Sequence, residues 1–294
     1  MKFTKMHGLG NDYVFVNCFE ENITDPAHTA RVVSDRHFGI GADGLVLICP
    51  SQKADIRMRI FNADGSEAQM CGNGIRCAAK YAYEHKLCKT GPVFTVPGQP
   101  PCPGSLRIET VKGVLTAGLL TDPGNKVRSV CVNMGQPVLS AADIPVSLSA
   151  EQVIEQPFEV MGTPLLMTLV SMGNPHAVFF CENVDQVELE KLGPAIENHR
   201  LFPQRVNVHF AQVLDFNQFR MRSWERGSGI TLACGTGACA SCVAAVLTNR
   251  CSPRSVAHLP GGQLDLYWCQ EDNSVYMTGP AVEVFEGVFE WPQS

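Results

Sequence analysis

The sequence predicts an α/β (α+β) protein built from two similar domains related by a pseudo-twofold, with more strand than helix. Three observations carry that expectation. Short apolar runs punctuated by Gly, Pro and Asn recur along the chain. Helix-compatible stretches are fewer. Several motifs also recur at one fixed offset: CGNG at Cys71 and CGTG at Cys234 are 234 − 71 = 163 residues apart. Met58-Arg59 and Met221-Arg222 share that offset, as do Gly10-Asn11 and Gly173-Asn174, and Asn62 falls opposite Glu225. The period is far too long for a solenoid. It implies a duplicated domain with equivalent loops facing each other, and the cleft between such halves is where a small-molecule site belongs.

Taken in order, the strands expected are Tyr13–Val16, Leu45–Ile48, Ile56–Phe61, Leu165–Val170, Ala177–Phe180, Val206–Leu214 and Phe219–Trp224. The helices expected are Thr29–His37, Gly72–Lys86, Val187–His199 and Gly235–Thr248. The stretch 96–105 (VPGQPPCPGS) reads as a surface loop. A domain boundary is expected near Gly124–Val130.

Composition narrows the function. Of 294 residues, 45% are apolar and 18% charged, and the net charge is −6. No Lys/Arg cluster suggests nucleic acid or a membrane surface as partner. No apolar run reaches the length of a membrane span, and the first residues lack a secretory signal pattern. A cytoplasmic location is therefore expected, with the thirteen cysteines as thiols rather than disulfides.

Each CGxG is expected to follow a strand and open an Ala-rich helix. Glycines there permit a tight entry and close backbone approach to a ligand. The first N–H groups of a helix form an anion site, reinforced by the dipole. A cysteine just before that start sits in a positive field, which lowers its pKa. Two such cysteines placed symmetrically, Cys71 and Cys234, suit the inversion of a carbon centre: one takes a proton from one face while the other delivers one to the opposite face. Two helix starts aimed at the α-carboxylate would stabilise the developing carbanion. No pyridoxal-phosphate lysine motif is evident, so no cofactor is expected.

Other motifs resolve differently. Cys239 and Cys242, three apart on an Ala-rich helix, read as core, since no second C-x-x-C or spaced His pair completes a zinc site. No metal is expected. Gly39–Gly44 matches G-x-G-x-x-G, but a helix precedes it and a strand follows, the reverse of a dinucleotide fingerprint. Polar residues cluster near the cysteines at His7–Asp12, Asn62–Gly65, Met172–His176, Arg205–Asn207 and Glu225–Gly227. Singly these are turn residues. Together they form a substrate shell, with Asn amides and an Arg for carboxylates and Glu225 for an ammonium.

The segments KMHGLGND (Lys5–Asp12), RIFNADGSEAQMCGNGIRC (Arg59–Cys77), SMGNPH (Ser171–His176), RVN (Arg205–Asn207) and WERGSG…ACGTGA (Trp224–Ala238) resemble the diaminopimelate epimerase family, in order and over nearly the whole chain. The resemblance implies a cofactor-independent isomerase interconverting LL- and meso-diaminopimelate, in lysine and peptidoglycan precursor synthesis. It implies Cys71 and Cys234 as catalytic thiols, with Gly72, Asn73, Gly235 and Thr236 on the carboxylate of the reacting centre. Asn11, Asn62, Asn174, Asn207, Glu225 and Arg226 would hold the rest of the substrate, and His176 and Glu225 would tune the thiols. The implied fold is two domains, 1–128 with 276–294 and 129–275, each a strand-rich, barrel-like sheet around a central helix. A homodimer is one assembly open to it. The sequence departs from the family at Ile230, where Glu is expected; the equivalent residue of the first half is Glu67. A racemase of the proline or glutamate type is the alternative, although diaminopimelate, with two zwitterionic ends, makes better use of the double polar shell. A thiol redox protein or a non-catalytic binding module are rivals of another class, and the second would be expected to lack one of the two thiols.

Overall fold

The computed structural model describes residues 1–68 and 71–291. Gln69 and Met70 of the first motif lie outside the described residues, as do the last three of the chain. The chain divides into two compact units, Met1–Asn133 with Thr278–Ser294, and Met134–Met277.

In the first unit, β1 (Lys2–Gly8) pairs antiparallel with β2 (Asn11–Asn17). Helix α1 (Pro26–Ser34) carries the chain over to β3 (Gly44–Cys49), which lies parallel to β2. A parallel pair requires such a crossover. β4 (Ile56–Asn62) returns antiparallel to β3 and meets the two-residue β5 (Glu67–Ala68). Helix α2 (Gly72–Glu84) follows. β6 (Gly104–Thr110), parallel to β4, then leads into the meander β7 (Gly113–Thr121) and β8 (Val127–Asn133). Because β8 pairs with β7, the first unit runs to Asn133 rather than to 128. α2 is buried from Gly72 to Ala82 and packs on β1, β3, β4, β6, β7 and β8, so the sheet wraps it as a barrel wraps an axle.

The second unit repeats this plan. β9 (Gln156–Val160) and β10 (Thr163–Ser171) form a hairpin, and β10 pairs antiparallel with β11 (Pro175–Phe180). Helix α3 (Leu189–Glu197) crosses to β12 (Asn207–Asp215), parallel to β11. β13 (Gln218–Glu225), the short β14 (Gly229–Thr231) and helix α4 (Gly235–Leu247) follow. β15 (Arg254–Leu259), β16 (Gly262–Trp268) and β17 (Val275–Gly279) lead to β18 (Val282–Val288), which returns to pair with β1 in the first unit. α4 is buried from Gly235 to Ala245 and packs on β10, β11, β12, β15 and β16, as its all-round apolar surface requires.

The offset of 163 holds at the level of register. Added to the bounds of α1 and α2, it gives those of α3 and α4. The parallel pair Tyr13↔Gly44 becomes His176↔Asn207. In the first unit Val14, Val16, Leu45, Leu47 and Phe61 pack with α1, and in the second Phe158, Phe179, Val208 and Phe210 pack with α3.

Some expectations are corrected. α1 begins at Pro26, three residues before the expected Thr29, because the Asp25 carboxylate caps it by accepting from the His28 N–H at 2.9 Å and proline fits the first turn. The 96–105 segment is not wholly a surface loop. Phe94 bridges Cys102, Val96 and Cys102 are buried, and Gly104-Ser105 already belong to β6.

Candidate active site

Cys71 is the N-cap of α2, with extended backbone, and its Sγ accepts from the Gly74 N–H at 3.3 Å. The Tyr13 hydroxyl donates to the same sulfur at 3.6 Å. Burial, and then the neighbouring Cys71 sulfur, pushes the Tyr13 phenol well above its ordinary range, so it serves as a donor. The Cys71 thiol reaches the Asn11 Oδ1 at 3.4 Å, which also accepts from the Asn73 Nδ2 at 3.2 Å. Asn11 is aimed from its other end by Asp43, whose Oδ2 accepts from Nδ2 at 2.7 Å. Asp43 and Asp12 in turn share Arg36. The Arg76 guanidinium, fully buried in α2, donates to the Asn73 Oδ1 at 2.9 Å, the Gly72 carbonyl at 3.0 Å and the Pro280 carbonyl at 3.1 Å. A chain of contacts therefore runs Arg76–Asn73–Asn11–Cys71. Asn62, at the end of β4, bonds Ser66 at 3.0 Å and makes no described contact with that chain.

Cys234 is the N-cap of α4 and is buried. Its Sγ lies 3.7 Å from the Thr236 Oγ1, which accepts from the Asn174 Nδ2 at 3.5 Å. The Asn174 Oδ1 meets the His176 Nε2 at 3.0 Å, and the His176 Nδ1 meets the His209 Nε2 at 2.9 Å. The His209 Nδ1 meets the Ser223 Oγ at 2.8 Å, as strand pairing of those two residues dictates. Asn207 spans the same region, donating to the Pro175 carbonyl at 2.9 Å and accepting from the Arg226 backbone N–H at 3.0 Å. The Arg226 guanidinium goes to the Gln204 carbonyl instead. Thr231 donates to Glu225 at 2.6 Å.

The two cysteines were expected to share a lowered pKa. For Cys234 the structure reverses this: burial first, and then the Glu225 carboxylate, push the thiol well above its ordinary range. Loss of hydration and a like charge outweigh a helix dipole of about half a charge.

Sequence reading passed over Tyr13, Arg76 and His209. The offset itself points to them: Tyr13 is the counterpart of His176, Arg76 of Cys239, and His209 of Val46, each a change of chemistry at a buried position. Cys239 and Cys242 are core residues of α4, with Ser255 donating to the Cys242 sulfur at 3.4 Å. Among the described residues, His176, His209 and Cys234 bring three possible metal-ligand atoms within 4.8 Å of one another. Both ring nitrogens of each histidine already face protein partners, so the group reads as a hydrogen-bonded chain. All thirteen cysteines are free thiols, and among the described residues no helix is long and apolar enough to cross a membrane.

Comparison with known proteins shows the family. The family model described as diaminopimelate epimerase matches residues 3–140 and 168–284. A diaminopimelate epimerase from Acetivibrio thermocellus is 50% identical over 287 residues, covering 98% of each chain. One from Agathobacter rectalis is 50% identical over 295 residues, again covering 98% of each. The solved structure of a hydroxyproline epimerase from Agrobacterium vitis, with bound trans-4-hydroxy-L-proline, superposes with a TM-score of 0.68 at 16% identity, covering 98% of this chain and 90% of that one. A PhzF-family protein from Bacillus anthracis gives 0.67 at 16% identity, with 98% of each covered. These two likenesses concern the fold alone.

Proposed function

The chain belongs to the diaminopimelate epimerase family, and from that premise we propose that it interconverts LL- and meso-2,6-diaminopimelate by two-base proton transfer between Cys71 and Cys234. The observation that carries this reading is the duplicated N-cap cysteine: each unit ends its β13-type strand at a polar turn and opens its central helix on a thiol. One thiolate takes the Cα proton, and the electron pair left behind is stabilised through the α-carboxylate by the first-turn N–H groups. The opposite thiol then gives its proton to the other face, and the configuration inverts. Gly72, Asn73, Gly235 and Thr236 bind that carboxylate. Asn11, Asn62, Asn174, Asn207, Glu225 and Arg226 hold the remainder of the substrate, and His176 and Glu225 tune the thiols.

The two sulfurs have different neighbours. Burial and Glu225 favour the protonated form of Cys234, which suits it to deliver a proton in one direction of the reaction, the roles exchanging in the other. The Cys71 sulfur receives the Gly74 N–H and the Tyr13 hydroxyl, contacts that support a thiolate, and as a thiol it donates to the Asn11 Oδ1. A cytoplasmic setting, where thiols stay reduced, suits this chemistry.

The test follows α-proton exchange in D₂O with LL-diaminopimelate, proline and glutamate and no added cofactor. Diaminopimelate should exchange far faster than either amino acid, and Cys71→Ala and Cys234→Ala should each reduce epimerisation by roughly 10²–10⁴-fold. Equal turnover of proline would sink the substrate assignment. Near-normal epimerisation in either cysteine variant would sink the two-base mechanism.

A further inference from the structure

We propose that His209 is a positioning residue for Cys234: it fixes which nitrogen of His176 carries the proton, and through Asn174 and Thr236 that choice turns a hydroxyl hydrogen onto the Cys234 sulfur. The inference rests on the epimerase reading for its consequence in catalysis, but not for its geometry.

The direction of each bond follows from what each atom can do. The Asn174 Oδ1 only accepts, so the His176 Nε2 facing it at 3.0 Å carries a hydrogen. In a neutral His176 the Nδ1 is then an acceptor, and the His209 Nε2 facing it at 2.9 Å must donate. A neutral His209 has one ring hydrogen, so its Nδ1 accepts from the Ser223 hydroxyl at 2.8 Å. With its oxygen committed to His176, Asn174 presents its amide hydrogens to the Thr236 Oγ1 at 3.5 Å. The Cys234 Sγ lies 3.7 Å from the Thr236 Oγ1; either can donate while Cys234 is a thiol, and once its proton has left only the hydroxyl can. A hydrogen bond there favours the thiolate that must form once Cys234 has given up its proton.

Two further observations support the assignment. His209 has no exposed surface, and burial alone pushes it down to about 3, so it stays neutral and keeps a single ring hydrogen at any working pH. The backbone also makes room for it: a Cβ on Gly237 would lie 2.2 Å from the His209 ring, whereas one on the equivalent Gly74 meets nothing closer than 3.5 Å. The titratable groups around Cys234 are Glu225 on β13, His176 on β11 and His209 on β12. Glu225 keeps the thiol protonated, and the chain from His209 works in the opposite sense.

The experiment has a substrate-free arm and a kinetic arm. Ring ¹⁵N NMR of histidine-labelled protein at neutral pH should show His176 and His209 each as a single tautomer protonated at Nε2. His209→Leu should leave His176 as a mixture of tautomers, and His209→Gln, whose amide can still donate from near the Nε2 position, should restore one. Should the leucine variant fail to fold, Ser223→Ala frees the far end of the chain and should populate the other His209 tautomer. In the kinetic arm, His209→Leu should lower kcat on LL-diaminopimelate about tenfold, with KM changed less than twofold. A shift of one unit in the acid's strength corresponds to that factor. Thr236→Val should do at least as much, and the double variant no more than Thr236→Val alone. A folded variant with the His176 tautomer unchanged overturns the proposal, as do additive losses in the double variant. A wild type that shows the tautomers but does not turn over diaminopimelate overturns the substrate assignment and leaves the positioning role standing.

Discussion

Around Cys71 the polar neighbours hang from a buried cation, Arg76; around Cys234 they hang from a buried neutral ring, His209. The backbones that carry these two arrangements repeat at a constant offset, yet neither strut has a counterpart: Arg76 stands opposite Cys239, and His209 opposite Val46. Duplication preserved the place of the sulfur at a helix start and left free how that sulfur is supported. Each sulfur is thus supported by its own set of groups, although the helix start that carries it is the same.

The largest effect expected from this difference is in pH dependence. His209 has its pKa depressed from 6.5 to about 3, so protonation below 6.5 favours the unfolded chain. Its contribution is therefore fully present above pH 6.5 and lost as pH falls towards 3, about 5 kcal/mol in all. The stability gap between wild type and His209→Leu, measured by urea unfolding, should shrink or reverse over that range by an amount of this order. A constant gap would mean that the ring is not held neutral by burial. Next comes the cation. Arg76→Met removes a buried cation that bridges the Asn73 side chain and the Gly72 and Pro280 carbonyls and should cost about 3–5 kcal/mol, while Cys239→Ala on the equivalent turn of α4 should cost about 1 kcal/mol. Equal costs would remove the distinction between the two struts.

These residues also mark the limit of what the sequence makes legible. α2 and α4 can be read almost to the residue, because Cys-Gly at the start and a run of small residues afterwards signal a buried helix whatever the rest of the fold does. The two-residue β5 and three-residue β14 are too short for any periodicity, and in the meander from β6 to β8 Thr, Gly and Ser interrupt the apolar residues. Arg76 in an Ala-rich helix looks like its solvent face; only the packing of β1, β7 and β8 on α2 makes it interior. His209 lies in a strand flanked on both sides by others, where alternation no longer separates inside from outside. In the candidate site, the cysteines and asparagines are visible as motifs, whereas the groups that orient them are distant in sequence and appear only once the strands pair.

A smaller effect separates the two helix starts. Gly237→Ala drives a Cβ into the buried His209 ring and should cost about 1–3 kcal/mol, along with the His176 tautomer. Gly74→Ala meets only ordinary contacts and, in a helix, should be neutral or stabilising by up to about 1 kcal/mol. Thermal unfolding of both variants decides this, and a tolerated Gly237→Ala would show that the ring is free to move.

The smallest effect concerns Ile230, where the family pattern has Glu. In the first half the equivalent Glu67 pairs with Arg59 through two bonds, at 2.8 and 3.0 Å, with both side chains about one-third exposed. Glu67→Gln should therefore cost no more than about 1 kcal/mol. The residue equivalent to Arg59 is Arg222, and it is already engaged: its Nη1 donates to the Val184 and Val187 carbonyls at 3.2 and 3.1 Å, and its Nη2 lies 3.6 Å from Glu190. A glutamate restored at position 230 would have to draw the guanidinium away from two carbonyls to gain one half-exposed ion pair. Ile230 is itself about half exposed and pairs across the strands with Trp224, so its removal costs little contact. Ile230→Glu should thus change stability by less than about 0.5 kcal/mol, with the KM for diaminopimelate altered less than twofold. A gain above 1 kcal/mol, abolished by Arg222→Gln, would show that Arg222 can be recruited and that the two halves differ there by sequence alone. Without such a gain, the half-turn around β14 is held by α3 and its preceding turn, and the missing charge has been made unnecessary by the route Arg222 takes.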